Sequence, residues 1–75
     1  MSGTVAVIGE HERIHGFALA GVTVAPADDG EQARAAWRAL DGDVTIVILT
    51  ATAHAALTAE DLTQQRERLY VVMPG

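Results

Sequence analysis

Apolar and polar positions follow two alternating periods along this chain. Thr4-Val5-Ala6-Val7-Ile8 is a short apolar run ending at Gly9, the pattern of a strand buried on both faces of a parallel sheet. From Glu10 to about Ala20 the spacing turns helical, with Ile14, Phe17, Ala18 and Gly21 at i, i+3, i+4 and i+7. Glu10 and Glu12 fall in the first turn, where the helix dipole favours acids, and Gly21 is placed as a C-terminal glycine. Val22-Thr23-Val24-Ala25 predicts a shorter edge strand closed by Pro26. Asp28, with Glu31 three residues on, reads as the cap of a second helix whose stripe is Ala33, Ala36, Trp37 and Leu40. Asp41-Gly42 closes that helix. Val44-Thr45-Ile46-Val47-Ile48-Leu49 is the strongest strand pattern in the chain. A helical region follows from Thr50 or Thr52 to about Arg68, either one bent helix or two short ones, since Thr58 and Asp61 can cap a second start. Leu69-Tyr70-Val71-Val72-Met73 predicts the last strand, stopped by Pro74-Gly75.

The order β-α-β-α-β-α-β specifies an α/β fold: a four-stranded parallel sheet with helices on both faces. Right-handed crossovers and the flavodoxin-like class lead to a three-layer sandwich of strand order 2-1-3-4. Residues 1–75 form one domain, with no linker or repeat.

Composition narrows the function classes. Ten acidic against five basic residues give a net charge of −5, which argues against nucleic acid as the main partner and against docking on anionic lipid. Apolar runs reach only four or five residues, far short of the roughly 20 that span a bilayer. No basic region precedes the first apolar run, which argues against a signal peptide. The chain contains no cysteine, so neither a disulfide nor a thiol nucleophile is available. Many of the apolar residues are alanines and only one Trp, one Tyr and one Phe are present, so the core is thin.

One stretch suggests chemistry. His11-Glu12-Arg13-Ile14-His15 spells H-E-x-x-H, which on a helix sets two imidazoles one turn apart for zinc and a glutamate to activate water. The bland alternative is that His11 and His15 flank the buried stripe of an ordinary helix. The motif starts the first helix, where the dipole disfavours a cation. His54 is the main candidate for a third ligand, and no bound metal or cofactor is expected. A second chemical reading is a regulatory domain binding a ligand near Glu10 and Thr50, where strands 1 and 3 end. Phosphate-cradling glycine motifs are absent from the sequence. A phosphoacceptor domain of similar topology would need an aspartate ending strand 3 and a lysine ending strand 4, where this chain has Thr50 and Pro74.

Val5-Ala6-Val7-Ile8-Gly9-Glu10, then Gly16-Phe17-Ala18-Leu19-Ala20-Gly21-Val22, resembles the opening of the F subunit of the V-type and A-type rotary ATPases. The family pattern is an apolar strand, I-G-[DE], a variable polar gap, then G-F-x-L-A-G-[VI]. HERIH falls mostly in that gap, which carries no zinc in the family. The likeness continues through Ile48-Leu49-Thr50 and through Leu69 to Gly75. It implies a non-catalytic central-stalk part that binds the coiled-coil D subunit, turns inside the catalytic head and links ATP turnover to proton or sodium transport. It also implies a cytoplasmic location, peripheral to the membrane through the complex. The family is expected to carry a C-terminal helix that engages the partner, and this sequence ends at Gly75, where that helix is expected to begin.

Handedness yields a physical expectation of its own. Helix 1 falls on one face of the sheet and helices 2 and 3 on the other, so strands 3 and 4 have helical cover on one face only. Both nevertheless read as continuous apolar runs. The expected partner surface is the helix-1 face of these strands, with Val47, Leu49, Tyr70 and Val72 as candidate interface residues. In isolation the chain is expected to associate with a second copy.

Overall fold

The computed structural model describes residues 4–63 and 68–74. Four parallel strands form one sheet of order β2-β1-β3-β4, with β1 Thr4–Gly9, β2 Thr23–Pro26, β3 Val44–Leu49 and β4 Leu69–Val72. The helices are α1 His11–Ile14, which continues as a 3₁₀ segment over His15–Ala20, α2 Gly30–Ala39, α3 Ala51–Ala56 and α4 Ala59–Thr63. The flavodoxin-like strand order and the alternation of strands and helices agree with the sequence pattern.

Several local features depart from it, each for a legible reason. The first helix keeps α geometry for a single turn and then tightens, so the stretch over Phe17–Ala20 is 3₁₀. Gly21, at φ +79°, makes the exit turn in the left-handed region that glycine enters freely. The cap of α2 is Asp29, whose carboxylate accepts the Gln32 N–H at 2.8 Å. Gln32 in turn accepts the Asp28 N–H at 2.8 Å, so the box closes with Gln32 and not with Glu31. Asp28 instead accepts the His11 N–H at 3.0 Å and so caps α1 from across the domain. The third helical region is two helices. Thr58 Oγ1 accepts the Asp61 N–H at 3.1 Å while Asp61 accepts the Thr58 N–H at 3.1 Å, a reciprocal cap that restarts the chain as α4. The expected continuation through residues 64–67 lies outside the described residues.

The main core sits between the sheet and α2–α3. Ala6, Ile8, Val47 and Leu49 from the strands meet Ala33 and Trp37 of α2, and Ala53 and Leu57 of the α3 region. Trp37 anchors it: the ring is buried and its Nε1–H donates to the Asp61 carbonyl at 2.9 Å, tying α2 to α4. Arg68 closes the bottom of this layer. Its guanidinium lies 5.4 Å from the Trp37 ring centroid and donates to the Val44 carbonyl at 3.0 Å and the Asp41 carbonyl at 2.9 Å. On the opposite face, Val7 and Ile14 are fully buried where α1 lies on β1.

Candidate functional site: an uncovered face of the sheet

Which side chains share a face follows from strand register. In a parallel sheet, directly paired residues point the same way. Ala6 pairs with Val47, which pairs with Tyr70, and Ile8 pairs with Leu49, which pairs with Val72. All four candidate interface residues therefore lie on the α2–α3 face. Val47 and Leu49 are fully buried in the core there and are withdrawn as interface residues. Tyr70 and Val72 are exposed, but at the rim of that face. Tyr70 meets Trp37 edge-on at 6.5 Å and stacks with His54 at 5.6 Å.

The opposite face carries the other parity. Val5 pairs with Ile46, which pairs with Leu69, and Val7 pairs with Ile48, which pairs with Val71. Over β1 and β2 this row is covered by α1 and the 3₁₀ segment. Over β3 and β4 it is not: Ile46 is 37% exposed, Val71 55% and Leu69 68%, while Ile48 is half-buried. A bare apolar seat on the α1 side of β3–β4 is thus present, lined by Ile46, Ile48, Leu69 and Val71. Strand alternation makes such an assignment sensitive to a single residue, because one step in register moves every side chain to the other face. That step is visible here. Thr4 pairs with Val44 but Val5 pairs with Ile46, so Thr45 is an extra residue that breaks the alternation in β3. Val44 and Val47, of opposite parity by simple counting, both enter the same core.

Where β1 and β3 end, Thr50 is buried and its hydroxyl donates to a Glu10 carboxylate oxygen at 2.6 Å. The hydroxyl oxygen of Thr50 also accepts the Ala53 N–H at 3.2 Å and so caps α3. The Thr50 hydroxyl holds the Glu10 carboxyl below its ordinary pKa, with smaller help from the backbone, Thr52 and the Arg13 charge against the opposing effect of burial. Gly9 is packed so closely that a β-carbon there would collide with the Thr50 methyl and lie 2.7 Å from its hydroxyl. The sequence-predicted pair Glu10 and Thr50 is brought together, as an internal clasp.

The HERIH residues do not form a regular helical face. Only His11–Ile14 is α-helical, and His15 begins the 3₁₀ segment with its Nδ1 3.1 Å from the Glu12 carbonyl. The His11 and His15 rings stack at 6.2 Å, while His54 sits against Tyr70. Among the described residues no group of three His, Asp or Glu could hold a metal ion. A cleft of about 280 Å³ opens at the other end of the sheet, lined in part by Thr4, Thr23, Asp41 and Asp43. It lies at the amino ends of the strands, whereas ligands of open α/β sheets bind beyond the carboxyl ends.

The chain is thus a small flavodoxin-like α/β domain with an internally clasped switch point and a bare apolar strand pair. Residues 5–74 match the family described as ATP synthase (F/14-kDa) subunit, and the chain belongs to that family. Its fold is similar to that in the crystal structure of the V-type ATP synthase F subunit of Archaeoglobus fulgidus, with a TM-score of 0.77 and 23% sequence identity over 99% of this chain and 100% of that one. A comparison with curated proteins found no match.

Proposed function

We propose that this chain is a non-catalytic central-stalk component of a V-type or A-type ion-translocating ATPase. It docks on the coiled-coil component of the stalk, inside the catalytic head, and helps couple ATP turnover to proton or sodium transport. One observation carries the docking: the α1 face of β3–β4 holds Ile46, Leu69 and Val71 in water, beside a face that α1 already covers. An amphipathic helix laid there would complete the layer that the fold leaves half built. Among the described residues no helix is long and apolar enough to cross a membrane, consistent with a place at the membrane only through the complex. Membership of the ATP synthase F/14-kDa family supports the same reading.

The test is co-expression with a long coiled-coil stalk protein and purification through a tag on that partner. The wild-type chain is expected to co-purify, and Ile46→Lys, which sets a charge in the middle of the seat, to be lost. Failure of the wild-type chain to co-purify, or capture unchanged by Ile46→Lys, overturns the proposal.

A further inference from the structure

The edge of the sheet offers a second surface, distinct from its face. β4 is the outermost strand, and its sequence Leu69-Tyr70-Val71-Val72 has no charged residue, proline or glycine to blunt it. Its free backbone groups can be assigned. Val72 pairs with Leu49, and the Met73 N–H donates to the Leu49 carbonyl at 2.7 Å. In a parallel ladder a residue bonds to the two neighbours of its opposite, so Leu49 engages Val71 and Met73. The N–H and C=O groups of Tyr70 and Val72 therefore point away from β3, to the open edge. Pro74, the next position of that parity, has no N–H and ends the usable edge there.

We infer that a second copy of this chain pairs with this edge, β4 antiparallel to β4, through the outward groups of Tyr70 and Val72. The register follows from those two residues. Tyr70 of one copy exchanges both hydrogen bonds with Val72 of the second copy, and Val72 with Tyr70, so all the outward groups within β4 are satisfied. Val71 then meets Val71 of the second copy across the two-fold axis as the non-hydrogen-bonded pair, with Cα atoms about 4.5 Å apart. Because the axis is normal to the sheet, the two bare faces come to lie on the same side of a continuous eight-stranded sheet, twice the four strands of one copy. A copy of the chain fits this edge because it supplies an identical strand with donors and acceptors at the same spacing. The contact is one short strand per copy, well below the roughly 800 Å² per partner of a standard interface, so the pair is transient. Each copy carries a net charge of −5 and β4 carries none, so added salt strengthens the pairing by screening the repulsion between the two bodies. The inference rests on reading β3–β4 as an interaction region, but it uses the edge of that region and leaves its face free.

The chain contains no cysteine, so single substitutions report the register directly. Under mild oxidation Val71→Cys is expected to form a disulfide-linked dimer at least about tenfold faster than Leu69→Cys, since only residue 71 meets itself at a spacing a disulfide can bridge. Val72→Pro removes an N–H that β3 does not use. It should keep the circular dichroism of the wild type, while abolishing self-association in sedimentation between roughly 10 μM and 1 mM. Equal cross-linking rates for the two cysteine variants, or a wild-type chain that stays monomeric over that range in high salt, overturns the inference. Ile46→Lys lies on β3, outside the edge. Its expected signature is therefore loss of stalk capture with self-pairing intact; a wild-type chain that self-pairs but is not captured counts against the proposed function alone, and one that is captured but stays monomeric counts against the edge pairing alone.

Discussion

Replacing Thr50 by valine keeps the volume of a buried side chain and deletes a hydroxyl with two jobs. The hydroxyl oxygen caps α3 through the Ala53 N–H, and the proton goes to Glu10 at 2.6 Å. Loss of an N-cap costs about 1 kcal/mol. A hydrogen bond to a charged group is worth about 1.5–3 kcal/mol, and the lower figure applies because Glu10 is only half-buried and water can replace the lost donor. Together Thr50→Val should destabilise the domain by about 2–3 kcal/mol. A chain of 75 residues has roughly 4–11 kcal/mol in total, so the fraction is large. In urea, with a slope near 1 kcal/mol/M, the midpoint should fall by about 2 M. Thr50→Ser, which keeps the hydroxyl, should lose about 1 kcal/mol or less.

The pH dependence separates the two jobs. The folded-state pKa of Glu10 is depressed, first by the Thr50 hydroxyl, so its contribution is present above the unfolded carboxylate pKa and is lost as pH falls through the folded value. The difference between wild type and Thr50→Val should therefore shrink as pH falls through and below the ordinary carboxylate range, leaving roughly the 1 kcal/mol of the cap. Asp61 is depressed too, chiefly by backbone hydrogen bonding from Thr58, but it titrates alike in both proteins and cancels in the difference. A penalty that stays constant across that range would refute the clasp, and Thr50→Ser as harmful as Thr50→Val would place the effect in the methyl group.

Two further substitutions probe the same framework by urea unfolding. Gly9→Ala should lose about 1–3 kcal/mol, because the added carbon collides with the Thr50 side chain, and pairing it with Thr50→Ser should recover part of that loss. An unshifted midpoint would show that the β1–α3 junction has slack. Trp37→Phe should lose about 2–3 kcal/mol by circular dichroism, since it leaves the Asp61 carbonyl without its donor and opens space between α2 and α4. A change under about 0.5 kcal/mol would remove Trp37 as the tie between those helices.

How far the fold could be read from sequence varies with the range over which each signal acts. Strand existence and order were legible because strands of four to six residues, each rich in apolar residues, between helical spacings admit few topologies. Thr58 and Asp61 were legible as a restart because both partners lie within one turn. The cap of α2 was not: Asp28 and Asp29 are adjacent acids, and Asp28 is drawn off by the His11 N–H seventeen residues away, a contact that only the closed sheet creates. The tightening of the first helix at His15 has no sequence signal beyond Gly16, a weak helix former.

The bare face shows the same division most sharply. That strands 3 and 4 would be covered on one side only follows from topology, and Leu69 and Val71 in water agree with it. Which residues occupy the bare side depends on parity, and parity requires a fixed reference within each strand. β3 supplies a misleading one. Thr45, its only polar residue, invites counting by twos from solvent through Val47 to Leu49, yet Thr45 is itself the inserted residue in the pairing with β1. Downstream of it the faces exchange. Val47 and Leu49 go to the Trp37 core, and Ile46 and Ile48 turn to the α1 side of the sheet, beyond the strands that α1 covers. A one-residue irregularity therefore moves the surface by a full set of side chains while leaving every element in place. It follows that Val47→Lys should unfold the domain, whereas Ile46→Lys, one residue away, should keep a stability in urea unfolding within about 0.5 kcal/mol of wild type. Equal damage from both would mean that β3 has no uncovered side, and with it the docking surface would disappear.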